Sequence, residues 1–128
     1  MPYKVAQHPN YIAVHFSGGL TVKQLIESYK DMAGQPDFAN QPVYVEYDET
    51  ARLDASFETI GDYIAGVEQI NLELGIKVNV GRKIALVTPK DLEFGLARMF
   101  SSMSSNRLTS VHRSFRDAED AMEWLLEP

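Results

Sequence analysis

Residues 84–87 read Ile-Ala-Leu-Val, with no polar residue among them. A strand with one wet face would alternate apolar and polar side chains. A run this short and wholly apolar suits a strand covered on both faces by helices, as in a layered α/β sheet. The flanking signals agree. Thr88 and Pro89 follow as cap and first-turn residue of a helix over 89–103, whose buried stripe is Leu92, Leu96, Met99, Phe100 and Met103.

The rest of the chain repeats the same unit. Residues 3–7 and 11–16 read as two strands joined at His8-Pro9-Asn10, where Pro fixes φ and Asn tolerates a left-handed backbone. Ile12, Val14 and Phe16 alternate with Ala13 and His15, so one face is buried and the other partly wet. Ser17-Gly18-Gly19 breaks the strand. It reads as a simple turn, with anion binding through its N–H groups as the alternative. Thr21 caps a helix carrying Val22, Leu25, Ile26, Tyr29, Met32 and Ala33 on one stripe, and Gly34 and Pro36 end it. A third strand spans 43–47. A helix over 57–74 carries Phe57, Ile60, Ile64, Val67 and Leu74, with Gly75 as its terminator. The last strand is expected at 108–113. Asp117 caps a final helix with Ala118, Ala121, Met122 and Leu125 inward.

The order is ββα, βα, βα, βα: five strands and four helices. Strands alternating with helices imply parallel pairing, and the opening hairpin adds an antiparallel edge. One domain over 1–128 fits the 128 residues. The net charge of −6 argues against binding nucleic acid through its phosphates. No stretch approaches the ~20 apolar residues of a membrane span. The N-terminal MPYKVAQHPN lacks the apolar core of a signal peptide. Cysteine is absent, which removes disulfides and thiolate chemistry. A cytoplasmic setting without membrane insertion is the expectation.

The order and two segments resemble a known fold family. VYVEYDETARLDASFETIGDYI (43–64) is similar to the strand, connector, Asp-Ser-Ser-Gly loop and helix of the STAS domain, the fold of SpoIIAA-type anti-sigma-factor antagonists. RKIALVTPKDLEFGLARMFSSM (82–103) and VHRSFRDAEDAMEWL (111–125) resemble the bacterial SpoIIAA-like family, related to both STAS and CRAL-TRIO lipid-binding domains. The likeness spans nearly the whole chain. It implies a mixed, mostly parallel five-stranded sheet with four helices largely on one face. It also implies a non-catalytic regulatory or protein-binding module, working as a homodimer or with another protein partner.

Individual residues carry more than one reading. Asp54 and Ser56 fall at the family's phosphorylation loop. Ser56 is there either a phosphate acceptor or a helix N-cap worth about 1 kcal/mol. Ala55 and Phe57 depart from the family's pattern, and the local carboxylates oppose a phosphate. Gly95 costs helix stability of about 1 kcal/mol, so it serves close packing or leaves room for an apolar or lipid-like small molecule bordered by Phe94, Met99, Phe100 and Met103. Arg98, on the same helix, is either ion-paired or meets an anionic ligand. Tyr44, Tyr47, Tyr63 and Trp124 are interface candidates, with a core role as the alternative. His8, His15 and His112 lack metal-ligand spacing and read as surface or sheet-edge residues. With no nucleophile elbow, phosphate loop or dinucleotide fingerprint, the chain is read as no enzyme, with no cofactor and no metal.

Overall fold

A computed structural model describes residues 2–53, 57–77, 81–88 and 110–127. Strands β1 (Tyr3–Gln7) and β2 (Ile12–Phe16) form the expected antiparallel hairpin, with Tyr3 opposite Phe16 and Gln7 opposite Ile12. Its turn is closed by the His8 N–H donating to the Tyr11 carbonyl at 2.9 Å. Strands β4 (Val43–Tyr47), β6 (Lys83–Val87) and β7 (Val111–Phe115) join in parallel, giving the sheet order β1-β2-β4-β6-β7. The last strand begins at Val111, three residues later than expected. That register puts Phe115 opposite Val87 and within 5.7 Å, ring to ring, of Trp124.

Ser17-Gly18-Gly19 does more than break a strand. Gly18 takes a left-handed backbone (φ +70°), which glycine adopts without steric cost. Its N–H donates to Thr50 Oγ1 at 3.0 Å, and its carbonyl accepts from Arg52 N–H at 2.8 Å. Two short strands, β3 (Gly19–Leu20) and β5 (Arg52–Leu53), then pair in parallel beside the main sheet. The amide proposed for an anion is therefore occupied by Thr50.

Among the described residues there are three α-helices: α1 (Val22–Ala33), α2 (Phe57–Leu74) and α3 (Ala118–Leu125). The helix expected over 89–103 lies outside the described residues. Thr21 caps α1 through a reciprocal box with Gln24, satisfying two otherwise orphaned amides. Gly75 (φ +65°) ends α2 in a Schellman arrangement, with Ile76 N–H donating to Asn71 O and Gly75 N–H to Leu72 O. Asp117 caps α3 through the Glu119 amide at 2.7 Å.

Period-2 alternation sorts the strand residues into two cores. Ile12, Val14, Phe16, Val43, Val45 and Leu86 point toward α1 and α2, meeting Tyr29, Met32, Val67 and Ile70. Ala13, Tyr44, Ala85 and Val87 point the other way, toward Ala121 and Leu125 of α3. Helices thus cover both faces, where a largely one-sided arrangement was expected. The apolar run at 84–87 is covered on both sides, as its composition requires. The buried stripe of α2 ends at Ile70; Leu74, expected on it, is 53% exposed, and Leu72 is exposed too. Ala118 is exposed as well, so α3 buries its apolar side from Ala121 onward.

Gly66 marks the closest approach of α1 and α2. A Cβ there would lie 2.7 Å from Ile26 Cδ1, whereas a Cβ at Gly61 on the same helix would meet nothing within 4 Å. A helical glycine costs about 1 kcal/mol against alanine, so only one of the two has a packing reason to be glycine. Gly61→Ala should raise stability by about 0.5–1 kcal/mol and Gly66→Val should lower it by about 1–3 kcal/mol, read by chemical denaturation.

Candidate functional site

Polar chemistry gathers at three places on this frame. The first is the amino edge of the parallel strands, on the α1/α2 side. Gly81 turns the chain (φ +82°) so that Arg82 enters the interior, where it is 8% exposed. Its Nη1–H donates to the Phe38 carbonyl at 2.9 Å and its Nε–H to Ser110 Oγ at 3.4 Å. The guanidinium lies 4.5 Å from the Phe38 ring centroid, a cation–π contact. Tyr29 stands edge-on to the same ring at 5.5 Å and donates to Asn71 Oδ1 at 2.6 Å. Burial lowers the Arg82 pKa and raises that of Tyr29, while each group's presence partly offsets the shift in the other. This cluster is closed and ties five segments together. It is a lock rather than a receptor site.

His112 belongs to the same side. Burial, and then the charge of Arg82, depress its pKa to about 4, so it is neutral at pH 7. It was read as a surface or sheet-edge residue. It stands on the sheet's edge strand but faces inward, across the sheet from His15.

The second place is the carboxyl edge, where β4, β6 and β7 end. Phe16 and Tyr47 stack there at 4.9 Å. Thr88 is wholly buried, and neither its Oγ1 nor the buried Ser114 Oγ has a hydrogen-bond partner among the described residues. Asp54, Ser56, Phe94, Gly95, Arg98, Met99, Phe100 and Met103 all lie outside the described residues.

The third place is the sheet face under α3. Helix α3 packs on β6, β4 and β7. On β1 and β2 the same face carries Lys4 and His15, both exposed, beside the small Ala6 and buried Ala13. Register sets Lys4 opposite His15 and His15 opposite Glu46, a charged row across three strands. His15 Nδ1 lies 3.2 Å from Glu46 Oε2. A carboxylate only accepts, so Nδ1 carries the proton of this bond. Tyr44 OH donates to the other oxygen, Glu46 Oε1. Burial, with the bond to Glu46 second, raises the Tyr44 pKa. Tyr11 meets the Tyr44 ring edge-on at 6.4 Å, and His8 stacks on Tyr11 at 4.5 Å. Glu46 thus holds one imidazole and one phenol beside a floor that no helix of the described residues covers.

The four aromatic interface candidates take different places. Tyr44 is 4% exposed and supports Glu46. Tyr47 and Tyr63 pack against the α1/α2 core, where burial raises both hydroxyl pKa values. Trp124 is half-buried on α3, with Lys83 Nζ 5.3 Å and the Arg113 guanidinium 5.9 Å from its ring. None of the four joins another at a common exposed patch. The row of Lys4, His15 and Glu46 was not read from the sequence; its only signal was His15 on the wet side of β2.

No protein-family model, curated protein or solved structure matches the chain. No helix among the described residues is long and apolar enough to cross a membrane.

His112 makes stability depend on pH with a definite sign. Its folded pKa of about 4 lies below the ordinary 6.5, so unfolding takes up a proton between those values. The stability it supplies is complete above pH ~6.5 and is lost as pH falls toward 4. Between pH ~6.5 and ~5, above most carboxylate titration, stability should fall by up to about 1.4 kcal/mol per pH unit. His112→Phe should flatten that slope in denaturant titrations; an unchanged slope would place the titration elsewhere.

Proposed function

We propose that this chain is a non-catalytic regulatory or protein-interaction module of the STAS-like type, and that it docks a protein partner on the uncovered half of its α3-side face. The single observation behind this is the row of Lys4, His15 and Glu46, whose exposed members Lys4 and His15 stand on β1 and β2, where no helix of the described residues covers this face. The side chains there are held in place. Glu46 accepts from both His15 and Tyr44, which reduces the rotamer entropy lost when a partner arrives. The floor, Ala6 and Ala13, is small enough for close approach. A firm, shallow, mixed-charge surface suits a protein partner better than a small molecule, which favours concave pockets.

A carboxylate-held imidazole is also how enzymes orient a general base. Here no hydroxyl is hydrogen-bonded to His15 among the described residues, and the ring is half open to water. Binding is therefore the reading with more support.

Capture from an extract of the source cells tests it, with wild type, His15→Ala and Leu72→Glu as baits. Leu72 is exposed at the far end of α2 and serves as the control. A partner retained by wild type and Leu72→Glu but reduced about tenfold by His15→Ala supports the reading; this corresponds to the ~1.4 kcal/mol of a modest hot spot. Equal capture by all three baits would count against it, as would turnover of a defined substrate by the purified chain.

A further inference from the structure

We propose that β1 is a dimerisation edge, along which two copies of the chain pair antiparallel, centred on Val5, into one continuous sheet. Strand β1 is terminal in the sheet order, so one of its sides carries backbone groups without a sheet partner. Which groups they are follows from the hairpin. Ser17 N–H donates to Pro2 O and His8 N–H to Tyr11 O, so the hydrogen-bonded pairs are the even positions of β1. Lys4 and Ala6 therefore bond to β2. The N–H and C=O groups of Tyr3, Val5 and Gln7 point away from the sheet.

Monomeric proteins blunt such an edge with a charge, lysine above all, or with a proline, a bulge, a very short strand or a covering segment, and of these β1 carries Lys4. β1 has five residues in unbroken register, and Pro2 lies just outside it. An open groove of about 560 Å3 runs beside it, lined by Tyr3, Lys4 and Val5 on the strand and by Asp31 and Gln35 at the end of α1. Its one fixed polar feature is Tyr3 OH donating to Asp31 at 2.5 Å; that bond, with burial second, holds the Tyr3 pKa up at about 12.

A second copy of β1 matches this edge without remainder. Antiparallel pairing about Val5 sets Tyr3 opposite Gln7 and Val5 opposite Val5 of the second copy, so every outward amide and carbonyl of the strand is satisfied. On the other face Lys4 falls opposite Ala6 of the second copy. No like charges are directly opposed, and the edge's one cation, Lys4, faces a methyl group. A two-fold axis perpendicular to the sheet relates the copies, the isologous arrangement of common dimers. It also joins the two uncovered half-faces into one floor, β2-β1-β1-β2. The inference does not depend on the docking reading above, because it concerns the edge rather than the face and is read by self-association alone.

The experiment is sedimentation velocity over a concentration series on wild type, Ala6→Glu, Ala6→Lys and Val5→Pro, each checked by thermal melting. Wild type should dimerise reversibly. Ala6→Glu places a carboxylate opposite Lys4 of the second copy twice per dimer and should tighten the dimer several-fold. Ala6→Lys should weaken it several-fold, and added salt should narrow the difference. Val5→Pro removes an amide that faces away from β2, so it should abolish the dimer and keep a cooperative melt. The proposal is overturned by wild type that stays monomeric at every concentration, or by a dimer indifferent to the sign of charge at position 6. A dimer that survives Val5→Pro overturns it equally. If Val5→Pro does not fold, the two Ala6 variants decide.

Discussion

Strands β4 and β6 occupy the middle of the sheet and must be covered on both faces. Their alternation meets that demand, with Val43, Val45 and Leu86 on one side and Tyr44, Ala85 and Val87 on the other. The supply of cover is unequal. An α-helix is about 10 Å across with its side chains, and strands lie about 4.8 Å apart, so one helix shields about two strands. The α1/α2 side has two helices in mutual contact. Among the described residues the other side has α3 alone, eight residues long, packed on β6, β4 and β7. No helix of the described residues lies over β1 and β2 on that face, and there the side chains become Lys4 and His15, with Glu46 beside them on β4. The exposed row follows from the arithmetic of layers.

The closed side solves a different problem. Arg82 is a buried cation whose hydrogen bonds go to a carbonyl and a hydroxyl, with an aromatic face beneath it. Desolvating a guanidinium costs several kcal/mol, and these contacts, brought from two separate segments at Phe38 and Ser110, offset it. The same charge helps keep His112 neutral, so the α1/α2 side stays cohesive at pH 7. The polar groups of that side therefore act on stability, while those of the open side remain available for binding.

Much of the fold was legible because it rests on local signals. The hairpin turn, the Thr21 and Asp117 caps, the Gly75 terminator and the alternation in β2 each name their own structure. What was not legible depends on distant partners. The β3–β5 pair has two residues a side, too few to show a period, and needs Thr50 to dock on Gly18. Leu74 fits the helical period of α2, yet only tertiary contact decides that the buried stripe stops at Ile70. Arg82 reads as an ordinary surface cation until Phe38 and Ser110 are brought to it. His15 and His112 look alike in sequence; the sheet places one against Glu46 in water and the other inside.

That contrast offers the most direct test of a sheet closed on one face and half open on the other. Diethyl pyrocarbonate modifies accessible neutral imidazole, and peptide mass spectrometry follows each histidine separately. At neutral pH the folded chain should acylate His15 rapidly, while the partly buried His112 reacts markedly more slowly until the chain is denatured. Equal rates at the two positions in the folded state, or a protected His15, would contradict the account.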